Sequence, residues 1–132
     1  MHVTGHCYCR KITFEAEADP ATASVCHCTD CQEITGTAYR IVVRATGFTL
    51  LSGTPKVWLK TAESGNRRAH AFCADCGSPL YSGAPGGALD SVTLRVGTLD
   101  QRRDLTPVKQ IWTRSALPWA LDLHGLETHE KG

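Results

Sequence analysis

Residues 11–18 alternate between apolar and polar positions without a fault. Ile12, Phe14, Ala16 and Ala18 share one side; Lys11, Thr13, Glu15 and Glu17 share the other. A period of two is the signature of a strand with one buried and one wet face. Asp19-Pro20 is expected to end that strand. Residues 39–45 are β-branched and alternating, with Arg40 and Arg44 directed outward. Residues 48–51, 57–61, 70–72, 91–98 and 107–112 read as further short strands. Gly53-Thr54-Pro55 and Ser64-Gly65-Asn66 supply turns, and the glycines and Pro85 of residues 82–88 supply a loop. A helix is suggested only at residues 29–35, one short turn stopped by Gly36. After Leu117-Pro118-Trp119 the chain becomes polar, as a frayed tail would. Trp58, Trp112 and Trp119 are expected in or half in the core, with a pocket wall as the alternative for Trp112 and Trp119. Many short strands and little helix define a mainly β, antiparallel domain.

Composition narrows the class. The 132 residues suit one domain and not two. A chain of this length buries roughly two thirds of its extended surface, so it does not depend on staples to fold. The hydrophobic share of 42% and charged share of 20% are those of a soluble globular protein. The net charge of +1 carries no clustered basic footprint for nucleic acid. Arg67-Arg68 and Arg102-Arg103 read as solvated surface. No basic stretch followed by an apolar run marks a signal peptide at the start. No run approaches the roughly 20 apolar residues of a spanning helix. The expected location is a reducing cytoplasm, where thiols stay free.

The cysteines change the picture. There are seven, and the odd count argues against a pure disulfide framework. Cys7 and Cys9 form C-x-C, Cys26, Cys28 and Cys31 form C-x-C-x-x-C, and Cys73 and Cys76 form C-x-x-C. Such spacing is what chelation from adjacent backbone requires. A redox pair is the alternative for Cys73 and Cys76, but that needs a helix start in a βαβ setting, and the surroundings read as strands and turns. Seven divides as four plus three. Cys7, Cys9, Cys73 and Cys76 can close a structural site of four thiolates, with Gly77 allowing the tight turn beneath Cys76. Cys26, Cys28 and Cys31 then hold a second metal with one position unfilled. His27, Asp30, Glu33 and His70 are conceivable fourth ligands, although His27, between two ligands, is expected to point away from the metal. Three thiolates leave zinc a weak Lewis acid, poorly suited to making hydroxide and better suited to exchanging soft ligands. A thiol brought by a substrate is therefore the expected occupant.

The segments GHCYC, VCHCTDCQ and FCADCGSPLY, in this order and spacing, resemble the glutathione-dependent formaldehyde-activating enzyme family, which includes centromere protein V. The resemblance spans about residues 5–119 and leaves a polar C-terminal tail. It implies a zinc-containing β-tent fold of small antiparallel sheets. It implies structural zinc on Cys7, Cys9, Cys73 and Cys76 and a catalytic zinc on Cys26, Cys28 and Cys31. The implied reaction joins glutathione and formaldehyde as S-hydroxymethylglutathione, a carbon–sulfur lyase reaction run in reverse. The family usually has glycine after the first C-x-C; this chain has Arg10, a difference at a turn rather than at a ligand. Two classes of function follow: an enzyme acting on a small thiol and a small aldehyde, or a zinc-stabilised binding module without turnover. No residue that would bind glutathione is identifiable from the sequence.

Overall fold

The computed structural model describes all residues, 1–132. Eight strands carry the architecture: β1 His2–His6, β2 Thr13–Cys26, β3 Arg40–Ser52, β4 Lys56–Thr61, β5 Arg67–Phe72, β6 Pro79–Gly83, β7 Ser91–Arg95 and β8 Lys109–Ile111. The α-helix α1 covers Thr29–Thr35, as its sequence suggests, with short 3-10 turns at Val96–Thr98, Thr113–Ser115 and Pro118–Leu121. The protein is mainly β. The strands follow one path, β1-β2-β3-β7-β6-β5-β4, with every pair antiparallel along it. β8 lies outside the path and runs parallel to the end of β2, Cys26 opposite Ile111. No helix is long and apolar enough to cross a membrane.

The core occupies one face of the curled sheet. Phe14, Ala16 and Ala18 of β2, Val43 and Ala45 of β3, Ala71 of β5, Tyr81 of β6 and Val92 and Leu94 of β7 are buried there, together with Val3, Leu99 and Leu105. Phe14 stacks on Phe48, and Tyr81 packs against Phe48 with its ring tilted by 52°. Removing each such large side chain from water contributes on the order of 1.5–3 kcal/mol. Gly5 belongs to this packing, because a Cβ there would sit 2.3 Å from the Phe14 ring.

Two departures from the sequence reading matter for the site. Asp19-Pro20 does not end β2. The strand continues through a register shift between Asp19 and Ser24. A bulge adds a residue to one strand and so exchanges its faces. Before the shift the even-numbered Phe14, Ala16 and Ala18 face the core; after it Ala23 does, and the even-numbered Ser24 and Cys26 line a cavity on the other side. The expected pair of strands at 39–45 and 48–51 is likewise one strand. Gly47, at φ 60°, lets β3 exchange faces midway, from Val43 and Ala45 to Phe48 on the core side. The broken alternation imitates a strand end in both places. β1 was not foreseen, and the expected loop at 82–88 begins only after Ser82 and Gly83 complete β6. The expected 91–98 strand stops at Arg95 and tightens into a 3-10 turn.

The tryptophans are not core residues. Trp58, Trp112 and Trp119 are 41%, 51% and 62% exposed. Phe14, Phe48, Tyr81, Leu80, Leu94, Leu99 and Leu105 already fill the core with smaller side chains between them, and the indoles border cavities instead.

Candidate metal centres

The first cluster gathers Cys7, Cys9, Cys73 and Cys76, the two pairs brought together across 64 residues. The four sulfurs lie within 4.8 Å of one another. Cys7 Sγ is 3.5 Å from Cys9 Sγ, and Cys9 Sγ is 3.7 Å from Cys73 Sγ. Tetrahedral zinc with bonds of about 2.3 Å separates its sulfurs by about 3.8 Å, so this donor set fits the ion nearly as it stands. Each half is a tight backbone knuckle. The Cys7 carbonyl accepts from Arg10 N–H, and Cys7 Sγ accepts from Ile12 N–H at 3.3 Å. In the second knuckle the Cys73 carbonyl accepts from Gly77 N–H, and Gly77 adopts φ 78°, as its place beside Cys76 suggests. Arg10 adopts φ 62°, in the left-handed region. Glycine is at ease there and a side chain is not.

Ser78 joins the knuckles and was not singled out by the sequence. Its Oγ accepts from Tyr8 N–H at 2.9 Å, which leaves its own hydroxyl free to donate to Cys76 Sγ at 3.3 Å. That hydroxyl, followed by backbone N–H groups, pulls the Cys76 thiol down to about 5. The signal available was the serine two places after the last cysteine of the motif.

The second cluster gathers Cys26, Cys28 and Cys31, also within 4.8 Å. Cys26 ends β2, Cys28 is the N-cap of α1, and Cys31 lies in the first turn of that helix. Cys28 Sγ accepts from Cys31 N–H at 3.2 Å, the bond a serine would usually make at this position. Gly36, at φ 65°, closes the other end of the helix by donating to the Gln32 carbonyl. The Gln32 amide ties the segment down, donating to the carbonyls of His27 and Ser115. The sulfurs form a directed chain: Cys28 Sγ donates to Cys31 Sγ at 2.9 Å, and Cys31 Sγ donates to Cys26 Sγ at 3.3 Å. The chain ends on Cys26. The bond from Cys31 holds the Cys26 thiol down to about 5 against the opposing effect of burial, with help from the Cys28 backbone and the Arg40 charge. The same bond and burial push Cys31 up. A soft, three-sulfur donor set fits zinc, with the sulfurs spreading by about half an ångström or more to reach its spacing.

No carboxylate or imidazole joins these three sulfurs. Asp30 pairs with Lys60 at 2.5 Å. Glu33 is exposed. His27 turns away, as expected, and is buried: its Nε2 donates to Gln110 Oε1 at 2.7 Å and its ring meets Tyr39 edge-on. His70 is held by Arg95, whose Nη2 donates to Nδ1 at 3.2 Å. An arginine only donates, so the proton of the neutral ring is on Nε2. Burial first, and then Arg95, Arg40, Lys60 and Arg68, depress His70 to about 4. Its ring also stacks on Trp58.

The three sulfurs share the wall of a cavity of about 430 Å³. Opposite them stand Arg40, Arg44, Lys60, Arg68 and Lys109, with His70, Ser82 and Thr93 between. Arg44 and Arg68 are exposed, as expected, while Arg40 is half-buried, and all three line this cavity. They face away from the core, but into this cavity, because the sheet curls around its second face. Trp112 stands at the rim beside Cys28, where a second cavity with Asp30 and Glu63 begins. Trp112 thus takes the pocket position that was its alternative.

A small, curled, mainly β protein with two thiol clusters, one of four and one of three, each able to hold a metal ion, is the class that fold and site define. Residues 2–115 match the family described as glutathione-dependent formaldehyde-activating enzyme, and the chain belongs to it. The fold is similar to that of a crystal structure of a Rhodobacter sphaeroides protein, with a TM-score of 0.60 and 22% identity over 81% of this chain and 98% of that one. No curated protein matches the sequence.

Proposed function

We propose that the protein is a zinc-dependent enzyme that joins a small thiol to a small aldehyde, as in forming S-hydroxymethylglutathione from glutathione and formaldehyde. The observation that carries this reading is the contrast between four sulfurs gathered without a cavity wall to serve and three gathered on one. Cys7, Cys9, Cys73 and Cys76 hold the structural ion, and Cys26, Cys28 and Cys31 the catalytic one. Zinc on the three cysteines would supply a soft position that keeps a fourth sulfur deprotonated at neutral pH. In the reaction the substrate sulfur bonds to the aldehyde carbon and the carbonyl oxygen gains the proton released by the thiol; nothing is oxidised or reduced. His70 Nε2–H and the hydroxyls of Ser82 and Thr93 are the donors of the cavity wall suited to the charge that develops on that oxygen. A reducing compartment such as the cytoplasm keeps the seven thiols available for this chemistry.

Cobalt in place of zinc tests the reading, because its visible bands report sulfur ligation. Adding glutathione is expected to shift those bands in the wild type and to leave them unchanged in Cys28→Ser, with formaldehyde consumed only by the wild type. Bands indifferent to every thiol tried would instead favour a zinc-stabilised binding module.

A further inference from the structure

We infer that a separate cavity, lined by no cysteine, binds a small aromatic carboxylate, with Arg40 and Arg95 meeting its charge and Tyr39 and Trp119 its ring. The site goes beyond the thiol chemistry proposed above and stands apart from it.

This cavity, of about 520 Å³, lies between the end of α1, the start of β3 and the 3-10 turn at Pro118–Leu121. Its size is that of a small-molecule pocket. Tyr39, Ile41, Trp119 and Leu123 give it an apolar wall. Trp119 and Leu123 are 62% and 51% exposed beside it, large apolar side chains left uncovered around one hollow. Only two charged side chains line the space, Arg40 and Arg95, and both are cations. Neither has a carboxylate within ion-pair distance. Arg95 is 5% exposed; it donates to His70 Nδ1 and to the Thr93 carbonyl, both neutral, and its Nε has no partner. Arg40 is half-buried, and its Nε and Nη1 have no partner either. Buried guanidinium nitrogens without partners are costly, and a second cation nearby adds to the cost.

The three-sulfur cluster answers one of the two charges. Three thiolates around a divalent ion leave one negative charge, and Arg40 stands opposite Cys26 in the β2–β3 register. One positive charge remains at the base of an apolar space. A single carboxylate balances it, and its plane matches the guanidinium fork. The threonine hydroxyls of the wall already donate to backbone carbonyls, so the rest of the ligand has little polar surface to satisfy. Two aromatic side chains on the same wall favour a flat ring, packed offset or edge-on. Charge and lining together describe one carboxylate on an aromatic body.

The probe is 2-naphthoate, with 2-naphthamide as its neutral counterpart. In calorimetric titration of the zinc-loaded protein, the carboxylate is expected to bind at least about tenfold more tightly than the amide. Nuclear magnetic resonance should show the probe shifting the backbone signals of Ala38, Gly97, Thr98 and Ala120, and not those of Thr22 and Lys109 on the cavity over the three sulfurs. Affinity should fall at least about fivefold in Trp119→Ala, an exposed position outside the core. It should not weaken in Cys28→Ser, because Cys28 lines other cavities. Equal binding of carboxylate and amide overturns the proposal, as does an affinity untouched by Trp119→Ala or no binding by millimolar probe. Loss of binding in Cys28→Ser also overturns it, since the carboxylate would then sit on the second metal. Acetate or inorganic phosphate binding as tightly as naphthoate overturns it in favour of a plain anion site. If naphthoate binds as expected while cobalt bands ignore glutathione, this site stands and the thiol reading alone fails.

Discussion

The two cysteine clusters are built from similar parts and, under the proposed function, do opposite work. The four-sulfur cluster draws on the start of the chain and on the β5–β6 turn, 64 residues away. Closing so long a loop costs conformational entropy, which metal binding at both ends offsets. Its surroundings are short backbone hydrogen bonds and one shared serine, with the sulfurs near the spacing an ion imposes. The three-sulfur cluster spans six consecutive residues and closes almost no loop. Around it are a cavity and a wall of unpaired positive charge. On the proposed reading, a ligand set assembled over a long span would hold the fold, and one assembled locally on a cavity would be free to serve a substrate.

The largest effect that can break this comparison is loss of a ligand. Structural zinc sites contribute on the order of 10–16 kcal/mol, and whole domains are stable by about 5–15 kcal/mol. Cys73→Ser is therefore expected to yield unfolded or insoluble protein, and Cys28→Ser a folded protein holding one zinc instead of two. Thermal melts with elemental analysis check this. Equal damage from the two substitutions would mean that both clusters are structural.

A pH titration sharpens the comparison from the cavity side. His70 is held near 4, against about 6.5 in an unfolded chain. A histidine with a depressed folded pKa binds fewer protons folded than unfolded. Its neutral state thus costs nothing above about pH 6.5, and stability is lost as pH falls from there through about 4. The full loss is on the order of 3 kcal/mol. Nuclear magnetic resonance of the imidazole should place its midpoint near 4, and the low-pH loss should be smaller in His70→Gln. A midpoint near 6.5 would show that the cations of the wall do not reach the ring.

The smallest effect concerns the knuckle of the structural cluster. Arg10 holds a left-handed backbone that costs a side chain about 1 kcal/mol. Arg10→Gly is expected to raise stability by about 0.5–1 kcal/mol in denaturant titration, without changing zinc content. No gain would mean that the turn relaxes when metal binds.

Both clusters were legible in the sequence, because a metal knuckle is written in adjacent residues. The helix at 29–35 was legible for the same reason, its Gly36 stop being local, although its Cys28 cap was not read. The cation wall was not. Arg40, Arg44, Arg68 and Lys109 are ordinary outward residues within their own strands, and only the curl of the sheet turns that outside into a shared interior. Asp19-Pro20 and Gly47 misled in a related way. Each interrupts an alternation, yet the pairing with the neighbouring strand resumes beyond a register shift and one strand continues. Trp58 and Trp119 show that aromatic size does not by itself assign burial where other large side chains already fill the core.

The register shift in β2 has a consequence for how this segment can vary. Between Asp19 and Ser24 the chain counts off an odd offset, and everything after it, the cysteines included, inherits the resulting parity. Substitutions at the exposed positions of 19–22 leave that parity intact. Loss or gain of one residue there inverts it, delivering Cys26 to the core and Val25 to the cavity. The number of residues in this short stretch thus helps to build the cavity, although Asp19, Pro20 and Ala21 do not line it.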